Sequence, residues 1–197
     1  MSQPEHTQNP NGVTIVVPAF DEENGIEGVV ERLAALDLGR PTEILVVNDG
    51  SRDRTADVLA RLEPAFEPLT VLNHRVNRGY GAALKTGIRA AAHSIIVITD
   101  ADGTYPEDRI VDLLERVDGG AEMAVGARTG ADVHIPWQRR PAKRILRGIA
   151  AYLAGEPIPD LNSGLRAIRR DLCLRYESIF PNGFSFTTTI TLASLTN

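Results

Sequence analysis

Apolar residues fall along the chain in short β-branched runs, separated by longer stretches with helical spacing. Val13 to Val17 reads as a first strand stopped by Pro18. Ile26, Val29, Val30, Leu33 and Leu36 then mark one face of a helix running from about Asn24 to Leu38. Glu43 to Val47 is a second strand, and Ala56, Val58, Leu59 and Leu62 give the next helix a sheet-facing side, with Ser51 or Asp53 able to cap it. Leu69 to Leu72 is a third strand, and Asn77-Arg-Gly-Tyr-Gly81 opens a helix that lasts to Ala92. Ile95 to Ile98 carries no polar residue, as a strand covered on both faces would. A helix from Pro106 to Val117 and a strand from Met123 to Gly126 follow. Strands alternating with helices predict an α/β fold with a parallel sheet between helical layers. Beyond Gly126 the pattern becomes mixed, with a further strand at Leu165 to Ile168 and a helix from about Phe184. The polar stretch Met1 to Gly12 reads as a disordered lead-in.

The chemistry concentrates where the Ile95–Ile98 run stops, at Asp100-Ala101-Asp102-Gly103. If the strand stays extended through Asp102, both carboxylates project to the same side. The crevice beyond the carboxyl ends of such strands is where open α/β sheets bind ligands. Paired carboxylates there offer hard oxygen ligands to Mg2+ or Mn2+, which can in turn hold a diphosphate. An acidic turn capping the helix at Pro106-Glu107-Asp108 accounts for the same residues without any ligand. Glycine cradles for a nucleotide are missing. The loop after the first strand is Pro-Ala-Phe-Asp-Glu-Glu, Gly79-Tyr-Gly81 lacks a third glycine, and no phosphate-binding loop ending in Gly-Lys-Ser/Thr occurs.

Composition narrows the partners. The 197 residues are 43% hydrophobic and 24% charged with net charge −5, enough for one large domain and no overall footprint for nucleic acid. Cys173 is the only cysteine, so an internal disulfide and a cysteine-rich metal site are both excluded. No apolar run reaches the ~18 residues of a membrane span, and a cytoplasmic location is expected. Against the acidic background, Arg139, Arg140, Lys143, Arg144 and Arg147 cluster with no acidic residue among them. On a helix opened by Pro141, Lys143, Arg144 and Arg147 would share one face, either solvated or facing an anion.

Four stretches, Val16-Val-Pro-Ala-Phe-Asp-Glu-Glu23, Val47-Asn-Asp-Gly-Ser51, Asn77-Arg-Gly-Tyr-Gly81 and Thr99-Asp-Ala-Asp102, each lie just past a predicted strand. In series they resemble the family 2 nucleotide-sugar glycosyltransferases of the GT-A fold. Asn162-Ser-Gly-Leu-Arg-Ala-Ile-Arg-Arg170 is similar to the corresponding segment of the polyprenyl-phosphate (dolichyl-phosphate) mannosyl- and glucosyltransferase branch. The resemblance implies a Rossmann-like, mostly parallel sheet sandwiched between helices, with a smaller mixed region on the acceptor side. It implies one catalytic domain over 13–197, binding the nucleotide sugar through 13–128 and the acceptor through 129–197.

The same resemblance implies residue roles. Pro18, Ala19 and Glu22 line the nucleoside pocket, and Asp49 accepts a hydrogen bond from the base. Arg78, Gly79 and Ala101 complete the donor site. Asp100 lies by the ribose or the metal, Asp102 binds the metal, and Arg128 contacts phosphate. Arg139, Arg140, Lys143, Arg144, Arg147 and Ser163 fall on the side of an anionic acceptor. Two departures stand out. Thr104 occupies the position where such enzymes often carry a glutamine ligand, and the chain ends before the family's later strand and basic segment, as a truncated catalytic core would. The Gln-x-x-Arg-Trp motif of processive synthases is absent.

The expected activity is inverting transfer of a hexose, mannose or glucose, from a GDP or UDP sugar to a polyprenyl phosphate, with Mg2+ or Mn2+ and peripheral contact at the inner face of the membrane. Were the acceptor a sugar hydroxyl, a general base would be needed, and Asp160 is the candidate. A sugar-phosphate nucleotidyltransferase would carry a Gly-rich basic loop in place of Pro18 to Asn24. A non-catalytic nucleotide-sugar-binding module would bind donor without turnover.

Overall fold

The structure, a computed structural model, describes residues 9–126 and 163–195. Among these residues six strands form one sheet: β1 (Asn9–Ala19), β2 (Thr42–Asn48), β3 (Leu69–Asn73), β4 (His93–Ile98), β5 (Met123–Val125) and β6 (Arg166–Arg169), in the order β3-β2-β1-β4-β6-β5. The first four are parallel to one another, while β6 runs antiparallel between β4 and β5. The helices are α1 (Ile26–Ala34), α2 (Thr55–Leu62), α3 (Tyr80–Ala90), α4 (Ile110–Asp118), α5 (Arg170–Arg175) and α6 (Phe186–Leu195).

Successive strand residues point to opposite faces, and both faces are covered. Val13, Ile15, Val17, Ile95 and Val97 pack with α1, α2 and α4. Val16, Ile96 and Ile98 pack instead with α3, α5 and α6 through Leu84, Ile88, Leu172, Phe186 and Ile190. Ile95 to Ile98 are therefore all 2% exposed or less, and each fully buried side chain contributes about 1.5–3 kcal/mol. This is why the run could hold no polar residue.

Two expectations change, while the mostly parallel sheet stands: β6 alone runs against its neighbours, and a short segment such as Arg166-Ala-Ile-Arg169 does not encode its direction. β1 begins at Asn9, where it pairs with His93, so residues 9–12 of the supposed lead-in belong to the sheet. β4 ends at Ile98 and the chain turns over 101–103, with Gly103 at φ 71°. The two carboxylates thus project from a turn and not from an extended strand.

Candidate functional site

At the carboxyl ends of β1, β2 and β4 lies a cleft of about 780 Å³. Pro18 and Ala19 end β1 and Glu22 follows it, Asp49 follows β2, and Asp100, Ala101 and Asp102 follow β4; all line it. Asn77, Gly79 and Tyr80 contribute from the start of α3, and Gly164, Phe184, Ser185, Thr187 and Thr188 close the other wall. The four strand-end stretches are thus brought together in one cavity.

The loop carrying Glu22 is stitched to the loop before α2. Asp21 N–H donates to Ser51 Oγ (3.1 Å), Glu22 N–H to Thr55 Oγ1 (2.8 Å) and Glu23 N–H to Asp53 Oδ2 (3.0 Å). In return Arg52 N–H donates to Asp21 Oδ1 (2.7 Å) and Arg54 N–H to Glu23 Oε2 (3.0 Å). These bonds hold Asp21 at φ 57°, a left-handed conformation that a non-glycine residue adopts at a cost.

Asp49 holds the opposite loop. Its Oδ1 lies 2.6 Å from His74 Nδ1 and accepts the Arg78 amide at 2.9 Å, while Oδ2 accepts the Gly79 amide at 2.8 Å. Arg78 therefore serves through its backbone; its exposed side chain is not part of the cleft lining. Tyr80, which follows, donates its hydroxyl to Asp100 Oδ1 at 3.0 Å and stacks on Phe184, ring centroids 5.4 Å apart. Burial first, and the Asp100 charge second, push the Tyr80 phenol well above its ordinary range, so it remains a donor. Asp102 is exposed and accepts the Thr104 amide at 2.9 Å.

Burial, then the charges of Asp102 and Asp100, raise the Glu22 carboxyl above its ordinary value. The cleft thus holds concentrated negative charge. Among the described residues no group of three or more His, Cys, Asp or Glu could hold a metal alone. Asp100 and Asp102 offer hard carboxylate oxygens of the kind a divalent cation takes, and such a cation would need its further ligands from a diphosphate or water.

On the far wall, Arg166 is buried with 0% exposure. Its guanidinium donates to Ser163 O (2.6 and 3.1 Å), Thr187 O (3.1 Å) and Thr191 Oγ1 (3.1 Å), tying the segment before β6 to α6. Ser163, expected near the acceptor, is fully buried and donates its hydroxyl to Gly126 O at 2.5 Å, behind the cleft lining. Arg128, Arg139, Arg140, Lys143, Arg144, Arg147 and Asp160 lie outside the described residues. Sequence reading did not single out Tyr80, Phe184, Thr187 or Arg166. Tyr80 and Arg166 lay inside quoted motifs, but contacts of both come from distant segments.

A comparison with known sequences and structures agrees with this geometry. The family description "Glycosyl transferase family 2" matches residues 14–176. Polyprenol monophosphomannose synthase of Mycolicibacterium smegmatis is 29% identical over 194 residues, 93% of this chain and 72% of that protein. Undecaprenyl-phosphate 4-deoxy-4-formamido-L-arabinose transferase of Edwardsiella ictaluri is 32% identical over 163 residues, 80% of this chain and 49% of that protein. This chain thus spans about half the length of the second relative. Among solved structures, glucosyl-3-phosphoglycerate synthase of Mycobacterium tuberculosis, in complex with Mn2+, UDP and phosphoglyceric acid, superposes with TM-score 0.68 at 24% identity, over 91% of this chain and 62% of that one. The mannosyltransferase PcManGT of Pyrobaculum calidifontis, in complex with GDP-Man and Mn2+, superposes with TM-score 0.65 at 26% identity, over 95% of this chain and 54% of that one. The fold is GT-A, and the strand-end motifs around the acidic cleft all lie within residues 14–176: the chain belongs to glycosyl transferase family 2, a family of nucleotide-sugar-dependent glycosyltransferases.

Proposed function

We propose that this chain transfers a hexose, mannose or glucose, from a GDP or UDP sugar to a polyprenyl phosphate with inversion at the anomeric carbon. The observation that carries this reading is the joining of Glu22, Asp49, Asp100 and Asp102 in one cleft at the carboxyl ends of the strands. Pro18, Ala19, Glu22 and Asp49 form the nucleoside side, and Asp100 and Asp102 would hold Mg2+ or Mn2+. When bound, the cation supplies positive charge to the departing diphosphate. An oxygen of the acceptor phosphate forms the new bond to the anomeric carbon as the bond to the diphosphate breaks, and the nucleoside diphosphate leaves with the electron pair. No proton has to be removed from an anionic phosphate. A hydroxyl acceptor would need a base, yet among the described residues the far wall offers Phe184, Ser185, Thr187 and Thr188.

Arg128 is proposed to meet the diphosphate, and Arg139, Arg140, Lys143, Arg144 and Arg147 the acceptor phosphate or anionic headgroups. Names of relatives acting on polyprenol and undecaprenyl phosphate support this acceptor. Among the described residues no helix is long and apolar enough to cross a membrane.

Transfer of labelled sugar from UDP-glucose and GDP-mannose to a short polyprenyl phosphate, with Mn2+, tests the reading. Asp102→Asn should lower turnover by roughly two orders of magnitude or more, since one of the negative charges that would hold the cation against the leaving diphosphate is lost. Lys143, Arg144 and Arg147 replaced together by Gln should slow transfer while donor affinity stays unchanged. Donor binding without transfer to any polyprenyl phosphate would refute the acceptor, and metal-independent turnover by Asp102→Asn would refute the role of the carboxylate pair.

A further inference from the structure

Of the two carboxylates, one is held by distant segments and the other only within its own turn. Asp102 is exposed and accepts a neighbouring amide, whereas Asp100 sits between two elements brought from elsewhere in the chain. On one side is the Tyr80 hydroxyl, 3.0 Å from Oδ1. On the other is Gly164, so close that an added Cβ would lie 2.5 and 2.8 Å from the two carboxylate oxygens. Any side chain at 164 would push the carboxylate away.

Tyr80 is itself immobilised. It is the first residue of α3, and its ring is stacked on Phe184 with an interplanar angle of 19°. The segment that brings Phe184 is clamped to the same helix start. Ala82 N–H donates to Asn182 O (3.1 Å), and Lys85 Nζ donates to Phe180 O (3.0 Å) and Asn182 Oδ1 (2.5 Å). A Cβ at Gly81 would lie 2.2 Å from Pro181 O, so this approach needs glycine. The phenol therefore reaches Asp100 from a rigid support.

We infer that Tyr80 is a positioning residue: its hydroxyl helps to set the rotation of the Asp100 carboxylate, so that the carboxylate is oriented toward the diphosphate-bound cation of the donor. The inference rests on the metal-dependent donor reading above. A ligand carboxylate held by an outer hydrogen bond loses less freedom when it binds metal, and removing such a partner typically lowers metal affinity 10–100-fold. Tyr80 differs from a structural tyrosine in one respect: its hydroxyl matters to the cation, and its ring matters to the fold.

Tyr80→Phe removes the hydroxyl and keeps the stacked ring. The assay is calorimetric titration of Mn2+ in the presence of UDP or GDP, whichever the parent binds, backed by the paramagnetic signal of free Mn2+. The thermal midpoint and the affinity for uridine or guanosine without metal are measured alongside. The expected result is a loss of roughly tenfold or more in Mn2+ affinity, with midpoint and nucleoside affinity unchanged. In an Asp100→Asn background, Tyr80→Phe should alter Mn2+ affinity by about twofold at most, because the two changes act on one contact. Equal Mn2+ affinity in parent and Tyr80→Phe, or an equal loss with and without Asp100, overturns the inference while the donor reading stands. A parent that binds neither diphosphate with Mn2+ overturns the donor reading and this inference with it.

Discussion

Replacing Asp49 with Ala should weaken the fold as well as the donor site. Its side chain is 4% exposed and that of its partner His74 is 6% exposed, so neither gains much water when the other is removed. Two backbone amides also depend on it, those of Arg78 and Gly79. Arg78 is exposed, so water can replace the carboxylate at its amide, and that bond contributes little to the loss. Breaking the buried contact to His74 and the Gly79 bond leaves a cost of about 3–5 kcal/mol. For a domain of this size each kcal/mol corresponds to about 2–4 °C, giving a fall of roughly 6–20 °C in Tm. Total stabilities run to about 5–15 kcal/mol, so most of the variant should stay folded at low temperature. Thermal and urea denaturation read the stability, and donor titration well below the midpoint reads the site. Donor affinity should fall too, because the 74–79 loop supplies Asn77 and Gly79 to the cleft. An unchanged Tm with donor affinity lost would assign Asp49 to the ligand alone and refute the loop-holding argument.

Two further outcomes follow from the site. The Glu22 carboxyl is raised in the folded protein, so the native state binds its proton more tightly than the unfolded chain does, and stability is lost as pH rises through the folded value. Glu22→Gln should therefore raise Tm over the parent at pH 8 in EDTA but not at pH 4; equal increments at both would contradict this. Arg166→Met should destabilise by about 3 kcal/mol or more in urea, because Ser163 O and Thr187 O lose a charged donor in a buried place. Arg166→Lys should not restore this loss, since one ammonium cannot span acceptors arranged for a guanidinium, and full rescue by Lys would refute that geometry.

The elements that could be read from the sequence are those whose burial is local. Ile95–Ile98 had to lie under helices on both faces, and Asp100 and Asp102 had to emerge where that run ends, whatever the backbone did next. Their arrival in a turn was less legible, because Gly103 signals a turn without saying where it begins. Arg166 shows the limit of the pattern: an arginine in a strand reads as an outward residue, yet it lies at 0% exposure because three acceptors from the segment before β6 and from α6 converge on it. The contacts of Tyr80 were equally hidden, since Asp100 and Phe184 are distant in sequence and nothing in the spacing joins them. α5 escaped notice because Arg170 to Arg175 is too short to show a helical period.

The place of β6 in the sheet bears on how the molecule can assemble. β1 to β4 are contiguous neighbours in the order β3-β2-β1-β4, and each finds a partner within the first 98 residues. Among the described residues β5 pairs only with β6, and β6 starts at Arg166, 41 positions after β5 ends at Val125 (166 − 125). Until that segment arrives, the β4 edge from Ile95 to Ile98 presents unpaired amides and carbonyls beside wholly apolar side chains, an edge that invites pairing with another chain. A nascent chain emerging from the ribosome would hold the acidic turn of Asp100 and Asp102 beside an open sheet border. Closure by Arg166–Arg169 would then complete the sheet and seat Gly164 against Asp100 in one event.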